Sequence, residues 1–320
     1  MEDPVYILSN PSVTLGTEIT LFVICILGLF LNGLAVYITL SSHSSRNLAI
    51  RLMLFIAITD ILFSIHGIAS QIAKWATSQQ VLLDPWFCQS NGMFNTLLTM
   101  SSTDGVGLLS LLRALSVAGN IKMREAYWYT AMGVLVLANT SFSIVAAFYE
   151  IMRIMPSEAY CQASFTKNTL SVIYSLFMMG KFAIVLLLII ASYIYITIRF
   201  YQTATRFSSK GNGVSSSLID DRTTTTYQKW VLLRILIFVF MYMVCFAPEL
   251  IALVYNLSTK TDRSPILDSI VSVGIFLTII VNSVFLLFYN QENRKVLINM
   301  LPSWIRFYSD NLEMQELSSL

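Results

Sequence analysis

Seven apolar stretches follow one another along this chain, each long enough to cross a lipid bilayer. They fall near 17–41, 48–74, 87–117, 127–149, 170–200, 228–256 and 267–289. A hydrocarbon layer roughly 30 Å thick asks for about 20 apolar residues per helical crossing. Lipid offers the backbone no hydrogen-bond partner, so each crossing must be a helix that satisfies itself. Of the 320 residues, 56% are hydrophobic and 12% charged, about half the charge a soluble domain uses to cover its surface. The sequence therefore predicts an all-α membrane protein, a seven-transmembrane helix bundle.

The distribution of charge sets the expected topology. With the N-terminus outside, fourteen of the twenty Lys and Arg residues fall on the inner side, among them Arg51, Arg113, Arg199, Arg294 and Lys295. Six fall in the outer half: Lys74, Arg153, Lys167, Lys181, Lys260 and Arg263. That positive-inside bias places residues 1–16 as an extracellular N-terminus. These residues lack the basic start of a signal peptide, so the first span is expected to serve as the targeting segment. The stretch from Thr203 to Thr226 is rich in Ser, Thr and Gly and suits a flexible cytoplasmic linker. After the last span, residues 290–301 place Val296, Leu297, Met300 and Leu301 on one helical face. This predicts a short amphipathic helix lying in the interface, followed by a cytoplasmic tail over 302–320.

Of four cysteines, Cys25 and Cys245 lie within spans, where a thiol packs as a small apolar group. Cys88 and Cys161 both fall on the expected outer side, an oxidising environment. Paired, they tie the top of span three to the loop between spans four and five; the alternative is two free thiols. The sequon Asn256-Leu257-Ser258 is a weak glycosylation signal, since it lies close to the bilayer.

Polar residues inside apolar stretches need a reason, because a charge at mid-membrane costs about 2.5–3.5 kcal/mol on insertion scales. Asp60 is the clearest. It reads either as a cation or proton site, with a sodium ion and Ser102 supplying a further oxygen, or as helix–helix glue with Asn32 and Asn282 as partners. Arg113 stands at the inner end of span three. Pro248 removes a backbone hydrogen bond in span six and predicts a kink about which its inner end can pivot.

Five segments, in order and at matching intervals, resemble the rhodopsin-like (class A) G protein-coupled receptors. Gly28 to Gly33 resembles the first-helix Gly-Asn signature, and Leu52 to Asp60 the second-helix Leu…Asp pattern, 28 residues after Asn32. Cys88, Ser102 and Arg113 keep the third-helix spacing. Cys245-Phe246-Ala247-Pro248 is similar to the Cys-Trp-x-Pro motif, with phenylalanine for tryptophan. Asn282 to Leu286, 34 residues beyond Pro248, resembles Asn-Pro-x-x-Tyr. Several positions depart from the pattern. Arg113 is flanked by Leu112 and Ala114, where the family has an acid and a tyrosine. Ser283 and Leu286 replace the last motif's proline and tyrosine. Span five lacks the usual proline, and Tyr195, or else Tyr193, supplies its inner tyrosine. With no acid beside Arg113, raised basal activity is expected.

The resemblance implies a ligand pocket between the outer halves of the helices. Carried over by position, it comprises Asn95 and Thr99 on span three, Phe246 and Glu249 on span six, and Ser272 and Phe276 on span seven. Asn95 stands where amine receptors carry an aspartate, which disfavours a monoamine. Phe276 stands where opsins carry the retinal lysine, so no retinal cofactor is expected. Lys181 and Glu249, opposite charges on neighbouring spans, are expected to pair or to meet a polar ligand, with Asp104 a rival partner for Lys181. The implied function is a plasma-membrane receptor that binds a small-molecule or peptide ligand and activates a heterotrimeric G protein by outward movement of span six. Arg113, Tyr195 and Pro248 would carry activation; membrane lipid is the solvent, and no nucleic-acid partner is implied. A receptor-like protein that binds ligand without coupling is the main alternative. A transporter is disfavoured by the absence of visible internal repeats. An enzyme is not expected: the chain has only His43 and His66 and no serine–lysine or paired-aspartate motif in a fitting setting.

Overall fold

The computed structural model describes residues 6–41, 48–118, 121, 123–163, 169–210, 218–259, 261–289 and 296–297. These form seven long helices: α1 (Pro11–Ser41), α2 (Leu48–Ala76), α3 (Pro85–Arg113), α4 (Glu125–Phe148), α5 (Thr169–Lys210), α6 (Leu218–Thr259) and α7 (Pro265–Tyr289). A 3-10 turn (Gln80–Leu83) leads into α3, and a wider π-type turn (Ala114–Ala118) ends it. Between α4 and α5 lies a short antiparallel hairpin, β1 (Met152–Ile154) on β2 (Cys161–Ala163), pairing Met152 with Ala163 and Ile154 with Cys161.

The ends of the helices have local causes. Asp84 caps α3 by accepting a hydrogen bond from the Trp86 amide at 3.0 Å, and Pro85 occupies the first helical position, where no N–H is needed. Pro265 opens α7 in the same way behind Ser264, whose hydroxyl accepts from the Leu267 amide. The Ser/Thr/Gly-rich stretch from 203 to 226 is not a linker throughout. α5 runs to Lys210 and α6 begins at Leu218, because extending an established helix costs far less than nucleating one. The amphipathic helix expected over 290–301 lies outside the described residues except for Val296 and Leu297, as does the tail.

α1 packs on α2 and α7; α3 packs on α2, α4 and α5; α6 packs on α7 and α5. Six of the seven helices are long and apolar enough to cross a membrane. The exception is α3, the most enclosed helix, which turns Asn91, Ser101, Ser102, Thr103, Asp104 and Arg113 into the bundle. Polar side chains are tolerated at membrane depth where they face other helices. Large apolar groups such as Phe30, Leu62, Leu137, Ile184, Phe240 and Ile251 point outward instead, the reverse of a soluble fold.

The bundle has two distinct ends. At one, the Cys88–Cys161 disulfide fastens the hairpin to α3. There Met155, Ala159 and Tyr160 sink into the bundle mouth and pack with Leu21, Cys25, Phe63, Phe276 and Ile279. At the other end, around Arg113, a larger core gathers Leu52, Met53, Ile56, Val106, Ile189, Tyr193, Phe238, Tyr242 and Leu286.

Candidate functional site

Beneath the hairpin lies a cavity of about 40 Å³, lined by Phe63, Asn95, Thr96, Thr99, Tyr160, Cys161, Gln162, Met178, Phe182, Phe246, Glu249, Ser272, Ile275 and Phe276. Asn95, Thr99, Phe246, Glu249, Ser272 and Phe276 thus meet in one place, from α3, α6 and α7. The roof is fixed by hydrogen bonds as well as by the disulfide. Gln89 exchanges two bonds with the Met152 backbone (2.9 and 3.1 Å), and the Asn91 side chain accepts from the Cys161 amide (3.2 Å) and from Asn95 (3.0 Å).

Charges at this mouth form a closed network. Glu249 pairs with Arg263 at 2.9 Å and accepts from Gln162 at 3.1 Å. Arg263, from the α6–α7 connection, also meets Asp268 at 2.6 Å and donates to the Tyr160 hydroxyl at 2.8 Å. Tyr160 in turn donates to Asp268 at 2.7 Å. Burial would lower the Arg263 pKa, but Tyr160, Glu249 and Asp268 together raise it above the ordinary arginine value. Burial is also the main cause that pushes the Tyr160 phenol well above its usual range. Arg263 therefore stays charged and Tyr160 stays neutral.

The expected Glu249–Lys181 pair does not form. Lys181 bonds to Asp104 at 2.7 Å and to the Asn139 carboxamide oxygen, between α3, α4 and α5, and it does not line the cavity. The rival partner, Asp104, lies one helix face away from the pocket, and a carboxylate buried there demands the nearest cation. Glu249 is satisfied by Arg263, a loop residue 14 positions later.

Two further networks close the disulfide end. Glu158 accepts from the Tyr6 hydroxyl, the Ser9 amide and hydroxyl, and the Thr14 hydroxyl, all at 3.1–3.2 Å. Burial and the Glu158 charge push the Tyr6 phenol up to about 12. The N-terminal segment is thereby strapped to the loop that roofs the cavity. Glu18 and Lys74, 0% and 1% exposed, pair at 2.6 Å; Lys74 also donates to the Ala159 carbonyl, and Trp75 and Gln79 donate to Glu18.

At mid-depth, Asp60 accepts from Ser102 (2.6 Å) and Asn282 (2.8 Å), Asn282 also donates to Ser102 (3.1 Å), and Tyr242 donates to Asn282 (2.7 Å). Asn32 donates instead to the Gly28 and Ile279 carbonyls, bridging α1 to α7. Asn282 presents its nitrogen to Asp60 and its oxygen to Tyr242, the pattern of a self-satisfied hydrogen-bond cluster. No group of three or more His, Cys, Asp or Glu residues suited to a metal occurs among the described residues.

At the opposite end Arg113 is 4% exposed. Its guanidinium donates to the Tyr193 hydroxyl at 3.3 Å and the Met53 sulfur at 3.8 Å, and its central carbon stands 4.8 Å from the Phe285 ring centroid. Phe285 stacks on Phe238 at 3.9 Å. The residue on α5 that meets Arg113 is thus Tyr193. Tyr195, 38% exposed, points outward to Arg199, because two positions along a helix turn a side chain by roughly 200°. Pro248 sits inside a continuous α6, directly against α7: a Cβ on Gly274 would stand 2.6 Å from the Cys245 carbonyl oxygen. Asn256 lies near the end of α6, 4% exposed.

The sequence reading missed Arg263 and Tyr160, from connecting segments, Gln162, on β2, and Asp268, in the first turn of α7, none of which carries a local spacing signal. It also missed Phe285, which occupies a variable position of the last motif.

With this geometry in place, comparison with known proteins assigns the family. The profile of the family described as "7 transmembrane receptor (rhodopsin family)" matches residues 31–285. The crystal structure of squid rhodopsin is similar in fold, with a TM-score of 0.75 at 13% identity, over 94% of this chain and 83% of that one. A search of curated protein sequences returns no match. The chain belongs to the rhodopsin family of seven-transmembrane receptors.

Proposed function

We propose that this member of the rhodopsin family is a plasma-membrane receptor with its N-terminus and disulfide end outside. In this reading it takes an uncharged ligand bearing hydroxyl or amide groups into the cavity under the hairpin, and it passes the event to a heterotrimeric G protein at the Arg113 end. The observation that carries this reading is the convergence of Asn95, Thr99, Phe246, Glu249, Ser272 and Phe276 on one cavity roofed by a tethered loop. Glu249 already holds Arg263, so a cationic ligand would have to displace an internal cation. A neutral ligand need only share the oxygens and amides of Asn95, Thr99 and Gln162.

The cavity of about 40 Å³ has room for about three waters, well short of the 300–1,000 Å³ typical of ligand sites. A ligand therefore enters by lifting the loop 155–162, loosening the Glu158 and Arg263 networks. Its contact with Phe246 biases the bend at Pro248, and α6 moves away from α3 as the population shifts toward an open state. In this reading the resting state is held in part by Arg113 on Phe285 and Tyr193, and the leucine that stands beside Arg113 in place of an acid supports measurable basal activity.

A second reading, a receptor that binds without coupling, is favoured by one observation: Arg113 is buried and engaged by three neighbours from α2, α5 and α7. One experiment separates the two. Ligand-free nucleotide exchange is measured in vesicles carrying the receptor with each class of heterotrimer, with Arg113→Ala as control. Exchange above the control for at least one class supports coupling. Identical rates for both proteins with every class, at equal surface density, would leave the non-coupling reading standing.

A further inference from the structure

At the Arg113 end, α6 and α7 leave between them an elongated hollow of about 280 Å³, lined by Ile237, Phe238, Met241, Ile280, Val281, Val284, Phe285 and Phe288. It is far larger than the cavity under the hairpin. It is also close to twice the roughly 150 Å³ of the dry engineered cavity known to take benzene. Both helices cross the membrane at this level, and Ile237, Met241, Val284 and Phe288 are exposed on the side facing lipid. Only hydrocarbon reaches such a surface.

We propose that this hollow is a binding site for one phospholipid acyl chain, drawn from the leaflet on the Arg113 side. Its shape supports that choice: the lining residues on α7 run from 280 to 288, about 12 Å of helix, so the hollow lies along the membrane normal as lipid chains do. Its chemistry does the same. Among the described residues, no lining side chain bears an N–H or O–H donor or an oxygen acceptor, which suits an occupant that is hydrocarbon over its buried length. A neighbouring helix, 10–12 Å across, is too wide to enter.

The floor of the hollow is the Phe238–Phe285 stack, whose other face carries Arg113. An acyl chain seated there fills the space into which either ring would rotate. It braces the closed arrangement, and its departure frees α6 to swing. The assignment rests on membrane embedding and geometry and is independent of whether the receptor couples to a G protein.

The test uses the full-length receptor in phosphatidylcholine vesicles containing a phosphatidylcholine with a photoreactive diazirine on one acyl chain, and labelled residues are located by mass spectrometry. Labelling at Ile237, Met241, Val284 and Phe288 is expected to exceed, several-fold, that at Leu137, Ile184 and Leu187, although these three are the more exposed. Val284→Trp, which fills the hollow, is expected to abolish the excess and leave the reference positions unchanged. Uniform labelling of all lipid-facing helices in the wild-type receptor would overturn the proposal without recourse to any variant. So would an excess that survives Val284→Trp in correctly folded protein, or a photoreactive sterol that labels the hollow and displaces the phospholipid.

Discussion

Replacing Phe285 by leucine tests the resting latch most directly. Leucine keeps most of the apolar volume against Phe238 but removes the ring face over which the Arg113 guanidinium sits at 4.8 Å. A cation–π contact is worth about 0.5–1 kcal/mol when exposed and about 2 kcal/mol or more when desolvated, and Arg113 is almost fully buried. The stacked Phe238–Phe285 pair, 3.9 Å between centroids, adds about 0.5–1.5 kcal/mol beyond simple burial. Part of each is recovered by new contacts in the open state, so a net loss of about 2 kcal/mol is expected. At about 1.4 kcal/mol per tenfold, the open-to-closed ratio should rise about 30-fold. The readout is ligand-free nucleotide exchange at matched receptor density. Phe238→Leu should raise it less, and the double variant should fall short of the sum, because the two rings share one interaction. An unchanged basal rate in Phe285→Leu, where Arg113→Ala still silences exchange, would show that Arg113 is not held by this ring.

Two further perturbations test the packing that supports the site. Lys74→Met leaves the Glu18 carboxylate buried without its counter-charge, a change that typically costs about 3–5 kcal/mol. Thermal unfolding in detergent should show a large drop that Glu18→Gln in the same chain largely restores, whereas equal losses in the single and double variants would mean that the pair is not coupled. Gly274→Ala drives a methyl group to 2.6 Å from the Cys245 carbonyl, so α6 and α7 must part beside Pro248. An overpacking cost of about 1–3 kcal/mol, read as a lowered unfolding temperature, is expected, and unaltered stability would show that the helices do not touch there.

Much of the architecture was legible because hydrocarbon imposes it. Seven apolar stretches must be helices, and the few polar groups among them must face one another, so Asp60, Ser102 and Asn282 could be grouped from position and resemblance alone, although Asn32, grouped with them, turns to backbone carbonyls instead. Facing direction was harder to read. In spans apolar on all sides the amphipathic signal is weak, and nothing in the local sequence distinguished Tyr193 from Tyr195. The same blindness misassigned Lys181. Whether its ammonium turns toward α6 or toward α4 depends on helix rotation, and Asn139 on α4, which completes its site, carried no signal of its own. The mouth was least legible. Gln162 on β2 and Arg263 in the α6–α7 connection reach Glu249, Tyr160 joins through Arg263, and the conformation of such segments is set by the assembled bundle rather than by periodicity.

The residues missing from the family's activation motifs and the contacts found in their place belong to one physical account. From the cavity toward the Arg113 end, rings touch in sequence: Phe182 to Phe246 at 5.5 Å, Phe246 to Tyr242 at 5.5 Å, Tyr242 to Phe238 at 5.0 Å, and Phe238 to Phe285 at 3.9 Å. Arg113 lies over the last ring. Tyr242 also joins this column to Asp60 through Asn282. A chain that lacks an acid beside its arginine, a tryptophan above its proline and a tyrosine at the end of its last motif, where Leu286 stands, thus links the same levels of the bundle with phenyl rings. Ring contacts are short-ranged and tolerant of rotation, whereas a buried ion pair breaks only at the cost of an uncompensated charge. Contacts between rings are therefore cheaper to rearrange than a buried ion pair. Spatial contiguity alone does not establish coupling, but three of these rings, Phe246, Tyr242 and Phe238, sit on α6 itself and shift whenever it moves. A displacement of α6 at Phe246 would have to undo these stacking and cation–π contacts, each worth about a kilocalorie, together with the hydrogen bonds of Arg113 to Tyr193 and Met53.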